Sequence, residues 1–287
     1  MTRRKKFRLR LASRALVLGE RTLVMGVLNV TPDSFSDGGK FLAPAAAVER
    51  ALAMEKAGAD ILDLGGESTR PGSEGISAEE ELSRVRPILE ALHGRLKIPI
   101  SIDTRKARVA EEAIAAGAEI INDVTGLKAD PGIADVARRH RAPLILMHMR
   151  GEPRTMQEQP FARNVLRDVM EGLKRSAAAA RRGGVPKSQI IVDPGIGFGK
   201  NYAQNYELLA RLGELHRLGL PILIGTSRKA FLGHTLGEKN AGDRMWGTAA
   251  TVAASILNGA HIVRVHDVAE MVQVARVADR IAAAAFR

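Results

Sequence analysis

The chain contains no cysteine in 287 residues. That excludes a disulfide framework, a thiolate zinc site, an iron–sulfur cluster and a cysteine nucleophile. A disulfide-stapled secreted module is excluded with them, so a cytoplasmic compartment is the expectation. Aromatic side chains are scarce too: seven Phe, two Tyr and one Trp. Single-strand nucleic-acid binders stack bases on such rings, and this chain has little to stack on. No apolar run reaches the ~18 residues that mark a membrane-spanning helix. The best candidate, Ala249 to Ile262, is broken by Thr251, Ser255, Asn258 and His261. No membrane partner is expected.

Charge has one sign in excess, and unevenly. Lys and Arg number 43 against 32 Asp and Glu, a net +11. Residues 1–14 hold Arg3, Arg4, Lys5, Lys6, Arg8, Arg10 and Arg14 and no acid. Removing those seven from +11 leaves +4 on the remaining chain, which argues against a nucleic-acid partner. An Arg-rich, acid-free start also suits a transit peptide. However, Phe7, Leu9 and Leu11 alternate with Arg8 and Arg10, and Ala15-Leu16-Val17-Leu18 follows. A period of two predicts a short β-hairpin with one buried face. Residues 1–19 are therefore read as a basic tail and hairpin, and 20–287 as a single domain.

What the chain does contain is regular alternation. Apolar runs fall at Leu23–Leu28, Ile61–Leu64, Ile98–Ile102, Ile120–Asn122, Pro143–Met147, Ile190–Val192, Pro221–Ile224 and Ile262–Val265. Helix-period stretches separate them, among them Pro44–Ala57, Ala78–His93, Arg105–Ala116, Phe161–Arg182 and Asn201–Leu212. Eight strand–helix units predict an α/β fold, a (β/α)8 TIM barrel. An open doubly wound sheet is the other architecture with this alternation, but its G-x-G-x-x-G fingerprint is absent. Asp193-Pro194-Gly195-Ile196-Gly197-Phe198-Gly199-Lys200 matches neither that pattern nor the Walker motif.

A weak repeat aligns Gly58–Asp63, Gly117–Asn122 and Gly259–Arg264, each a glycine after a helix followed by a strand. It places Asp63, Asn122 and Arg264 at equivalent positions near three strand ends, where barrel active sites are built. Asp103 and Asp193 end two further strands. Carboxylates and an amide converging there suit a flat polar ring; each also suits loop anchoring. The first two strands are followed by Asn29-Val30-Thr31-Pro32-Asp33-Ser34-Phe35-Ser36-Asp37-Gly38-Gly39 and Gly65-Gly66-Glu67-Ser68-Thr69-Arg70-Pro71-Gly72. These exceed the ~2–6 residues a connection needs, which suggests mobile loops over a site. Gly225-Thr226-Ser227-Arg228-Lys229 precedes an expected helix start, a place that favours anions. Arg264 and His266, two apart on a strand, share a face. Asn29 offers an oxygen of the kind Mg²⁺ takes. His148 also ends a strand, and a site role and a packing role stay open for it.

The segments Met25–Gly39, Gly65–Gly72, Asp193–Lys200, Gly225–Lys229 and Arg264-Val265-His266-Asp267, in this order and spacing, resemble dihydropteroate synthase over residues 20 to 285. The resemblance implies a folate-pathway transferase that joins 4-aminobenzoate to a dihydropterin methyl diphosphate and releases diphosphate. It implies that Asp103, Asn122, Asp193 and Lys229 hold the pterin. Asn29 would carry Mg²⁺, with Thr69, Arg264 and His266 at the diphosphate, and Asn29, Lys229, Arg264 and His266 as catalytic residues. Thr69, Arg70, Pro71 and Phe198 would form the 4-aminobenzoate pocket. The resemblance also implies a sulfonamide target and, as is usual in the family, a homodimer. Ala230 stands where many relatives carry Ser, Asn201 where Thr is frequent, and Glu152 in a loop that often reads Gly-Thr-Pro. A methyltransferase acting on methyltetrahydrofolate, or a pterin binder without catalysis, would share the carboxylate–amide pocket.

Overall fold

In the computed structural model, residues 1–31, 42–69, 72–152, 155–156 and 162–286 are described. The chain opens with a two-stranded antiparallel hairpin, β1 (Phe7–Arg10) and β2 (Ala15–Leu18). Eight parallel strands follow, β3 (Leu23–Asn29), β4 (Ile61–Gly65), β5 (Ile100–Asp103), β6 (Ile120–Asp123), β7 (Leu144–Met147), β8 (Ile190–Asp193), β9 (Leu223–Ile224) and β10 (Ile262–Val265). Between and after them run α1 (Leu42–Lys56), α2 (Ala78–Leu92), α3 (Ala107–Ala115), α4 (Ile133–His140), α5 (Val165–Arg182), α6 (Tyr202–Ala210), α7 (Ala230–Leu236), α8 (Met245–Leu257) and α9 (Val268–Ala284). β10 pairs with β3 and with β9, and a parallel bridge between Val192 and Ile222 joins β8 to the approach of β9. The sheet thus curls into the expected barrel. Among the described residues no helix is long and apolar enough to cross a membrane.

The period of two along the strands sorts the side chains into two cores. Outward positions such as Val24, Leu62, Ile121, Leu146, Val192 and Val263 pack against the helices. Inward positions near the strand starts, Met25, Ile61, Ile120, Ile145, Ile191, Leu223 and Ile262, form a separate apolar plug. The hairpin closes this end by adding Leu9, Leu11 and Leu18 to the same plug. Two residues further along, on the same inward face, stand Asp63, Asn122, Asp193 and Arg264. One step along its axis the barrel interior thus gains carboxylates, an amide and a guanidinium, beside the apolar Val27 and Met147.

The basic start of the chain is built into this end. Arg4 donates to the Asp279 carboxylate on α9 at 2.5 Å and to the Thr22 hydroxyl at 2.7 Å. His261 accepts the Ile222 amide at 3.1 Å through Nδ1, and its Nε2 lies 3.1 Å from the Lys5 carbonyl.

Boundaries shift for local reasons. α5 starts at Val165 because Asn164 caps it, its side chain accepting from the Arg167 amide; Phe161, the expected start, lies outside the described residues. Asn201 forms a capping box with Gln204 at the start of α6, a role in which Asn serves as well as Thr.

Candidate functional site

Parallel register pairs Asp103 with Asn122 across β5 and β6, and Asn29 with Gly65 across β3 and β4. Closure of the ring brings β10 beside them. Arg264 on β10 donates through Nε to Asp63 Oδ2 at 2.6 Å and through Nη2 to Asp103 Oδ2 at 2.7 Å. Asn122 donates through Nδ2 to the same Asp63 oxygen at 3.1 Å. The three residues aligned by the sequence repeat thus meet at one atom. Asp63 is fully buried, and its other oxygen and Asp103 Oδ1 have no partner among the described residues.

Asp193 and Lys229 complete the layer. Asp193 Oδ1 accepts the Gly195 amide at 2.7 Å. Lys229 Nζ sits 4.0 Å from the centre of the Phe198 ring, within cation–π range. Phe198 lies on the glycine-rich loop after β8. Gly195 (φ 67°) and Gly199 (φ 66°) are in the left-handed region, and an added Cβ would stand 2.0 Å and 2.2 Å from the carbonyl oxygens of His148 and Arg150. These glycines serve close backbone packing rather than a phosphate cradle.

Burial dominates the electrostatics. It pushes the Asp103 carboxyl up to about 7, opposed by Arg264 and aided by the charge of Asp63. The Asp193 carboxyl is pushed up to about 6 by burial, against the pull of the Gly195 amide. Lys229 is pushed down to about 8 by burial and by Arg264. His266 is pushed down to about 3 by burial and then by Arg264, Arg228 and Lys229. It is therefore a neutral hydrogen-bonding group at pH 7, and its Nδ1 lies 3.0 Å from the Ser227 hydroxyl. Arg228 pairs with Asp267 through two hydrogen bonds, at 3.1 and 2.5 Å.

Other expected positions separate. Thr69 borders a cleft of about 290 Å³ shared with Glu67, Ser73 and Arg105. Asp33 to Gly39, Arg70 and Pro71 lie outside the described residues. Asp123, next to Asn122, is a loop anchor: its carboxylate accepts from the Thr125 and Leu127 amides and the Thr125 hydroxyl. His148 takes the packing role, buried under the glycine-rich loop with Lys200 Nζ 3.1 Å from Nδ1. The helix after Lys229, α7, has only seven residues and begins at Ala230, which carries no hydroxyl.

Two features escaped the sequence reading. Ser227 lies in the quoted Gly225–Lys229 segment, but nothing in that segment ties it to His266, which it holds in the fold. Glu67 accepts from Arg105 at 3.0 and 2.9 Å, from Lys106 at 3.1 Å and from the Ile76 amide at 3.0 Å. The charged pair at 67 and 105 was visible, but the fold was needed to join them.

Asn29 ends β3, half-buried, with its Oδ1 3.3 Å from where a Cβ on Gly65 would stand. Any side chain at 65 would crowd that oxygen, so glycine leaves a cradle open beside it. A magnesium ion keeps several waters and takes one or two protein oxygens together with substrate phosphates. An amide oxygen at an open strand end fits that need. Among the described residues no cluster of three or more His, Cys, Asp or Glu forms a closed metal cage.

The pattern of the family described as "Pterin binding enzyme" matches residues 25–266. The dihydropteroate synthase of Synechocystis sp. is 50% identical over 263 residues, 92% of this chain and 91% of its own length. The Yersinia pestis dihydropteroate synthase, solved as a complex with a sulfonamide drug, superposes with a TM-score of 0.90 at 42% identity, covering 97% of this chain and 100% of that one. The Xanthomonas albilineans enzyme, solved with 4-aminobenzoic acid, gives 0.90 at 42% identity, covering 96% of this chain and 98% of that one. With such identity running the whole length of the barrel, the chain belongs to the dihydropteroate synthase family of pterin binding enzymes.

Proposed function

We propose that this chain condenses (7,8-dihydropterin-6-yl)methyl diphosphate with 4-aminobenzoate, giving 7,8-dihydropteroate and diphosphate. The observation that carries the reading is the polar layer at the strand ends. Asp103, Asn122, Asp193 and Lys229 surround Arg264 in a buried setting suited to a flat ring rich in donors and acceptors. The complexes of the relatives with 4-aminobenzoic acid and with a sulfonamide drug support the second substrate and sulfonamide sensitivity.

In this mechanism the carboxylates and amide hold the pterin while the bond from its methylene carbon to the diphosphate oxygen breaks. The 4-aminobenzoate nitrogen forms the new bond to that carbon and loses a proton to solvent. The ring, held by Asp103, Asn122 and Asp193, spreads the positive charge that develops on the methylene. Thr69, Arg70, Pro71 and Phe198 hold the arylamine, and fixing both reactants removes much of the entropic barrier. Lys229 feels the charges of Asp193 and Asp103 and sits over the Phe198 ring, so it would serve both substrates. Arg264 aims the carboxylates it pairs with and adds positive charge near the leaving group. His266, neutral and tethered to Ser227, offers a hydrogen bond rather than a charge. Mg²⁺, held through Asn29, would neutralise the departing diphosphate.

A homodimer is part of the proposal. Trp246 (76% exposed), Val277 and Ile281 leave apolar surface on α8 and α9, which pack against each other. Sedimentation would show twice the chain mass.

The test is turnover. Purified chain with Mg²⁺ and both substrates should form dihydropteroate and release one diphosphate per product. Binding of the pterin substrate without either product would leave a pterin binder and end the synthase reading.

A further inference from the structure

Asp63 touches no substrate in the mechanism above, yet it lies at the centre of the polar layer. Its Oδ2 accepts from Arg264 Nε at 2.6 Å and from Asn122 Nδ2 at 3.1 Å. A guanidinium has donors only, so the atom facing it must be an acceptor. With an acceptor fixed there, Asn122 has to turn its NH2 toward Asp63. The two ends of an amide are opposite in character, so Oδ1 is the end left for a ligand. Arg264 acts in parallel on the neighbouring strand, where its Nη2 occupies Asp103 Oδ2 at 2.7 Å. That leaves Asp103 Oδ1, buried and without a partner among the described residues. Asp103 and Asn122 are register partners, so their side chains project side by side on the inward face.

We propose that Asp63 is a positioning residue: by accepting from both Asn122 and Arg264 with one oxygen, it presents Asn122 and Asp103 to the substrate as a paired acceptor. Such a pair selects a ring edge bearing adjacent N–H donors, which a pterin has. The proposal rests on the reading of this layer as the pterin pocket.

Two variants of the full chain separate an acceptor role from a merely structural one. Asp63→Asn keeps an oxygen at the shared position, because Arg264 and Asn122 both donate there and an amide NH2 could not receive them. Asp63→Leu fills the same space with no acceptor. Steady-state kinetics with both substrates should show the Asn variant within about threefold of wild type in KM for the pterin diphosphate. The Leu variant should raise that KM about tenfold or more, the scale of a lost buried hydrogen bond. KM for 4-aminobenzoate should stay unchanged in both. A tenfold rise with Asn, a wild-type value with Leu, or the two KM values moving together would each overturn the proposal. If the Leu variant does not fold, the Asn variant decides alone. Wild-type chain without turnover would instead overturn the functional reading, so the two failures are distinguishable.

Discussion

Lys229 holds its ammonium 4.0 Å above the centre of the Phe198 ring. The two residues come from loops after neighbouring strands, and in the proposed mechanism one serves the pterin and the other the 4-aminobenzoate. Phe198→Leu should raise KM for 4-aminobenzoate about 2- to 30-fold, the range of a cation–π contact with its packing. Steady-state titration of 4-aminobenzoate at saturating pterin substrate checks it. An unchanged KM would remove Phe198 from that pocket.

Burial gives Asp103 a pH signature. Its carboxyl rises from 3.8 to about 7 on folding. The folded chain therefore keeps a proton that the unfolded chain has already released. Its contribution to stability is full below about pH 4 and is lost as pH rises through 7. Asp103→Asn removes that dependence. The melting temperature of the variant, relative to wild type, should climb steadily from pH 4 to pH 7. A constant difference across that window would contradict the assignment.

Asn29→Ala should raise the magnesium concentration needed for half-maximal turnover by about tenfold or more, the lower end of effects reported for groups around metal sites. Chelation should stop turnover in wild type. Calorimetric binding of diphosphate, with and without Mg²⁺, gives a readout independent of catalysis. The magnesium-dependent gain should shrink in the variant.

The hairpin is predicted to be structural. Leu9 is fully buried in the plug beneath the polar layer. Leu9→Ala should cost about 2–5 kcal/mol, as other buried leucine truncations do. Urea unfolding measures the loss, and both KM values should stay near wild type. A large change in either KM would show that the plug sets the geometry above it.

The alternation of short apolar runs with helical stretches was enough to read the barrel, because a parallel strand buried on both faces leaves that mark. The repeat also brought out Asp63, Asn122 and Arg264 as equivalent. Their convergence on one atom was hidden, because Asp63 and Arg264 lie 201 positions apart and meet only when β10 closes against β3. Asn122 and Asp123 show the limit more sharply. Adjacent strand residues point to opposite faces, so one joins the polar layer and the other ties down a loop, yet composition does not distinguish them. The start of the chain read as a basic tail and hairpin, and its composition did not show that Arg4 pairs with Asp279 across the barrel seam.

That seam has a consequence for how the chain acquires its structure. The bond between Arg4 and Asp279 spans 275 positions, and the pairing of β10 with β3 spans nearly the whole barrel. Contacts of such separation are slow to form, since a long loop must be ordered before they repay it. As the chain leaves a ribosome, the edge of β3 that pairs with β10 should stay open until β10 emerges. Only then do the plug, the ring and the carboxylates around Arg264 come together, so competence for binding should arrive late and all at once.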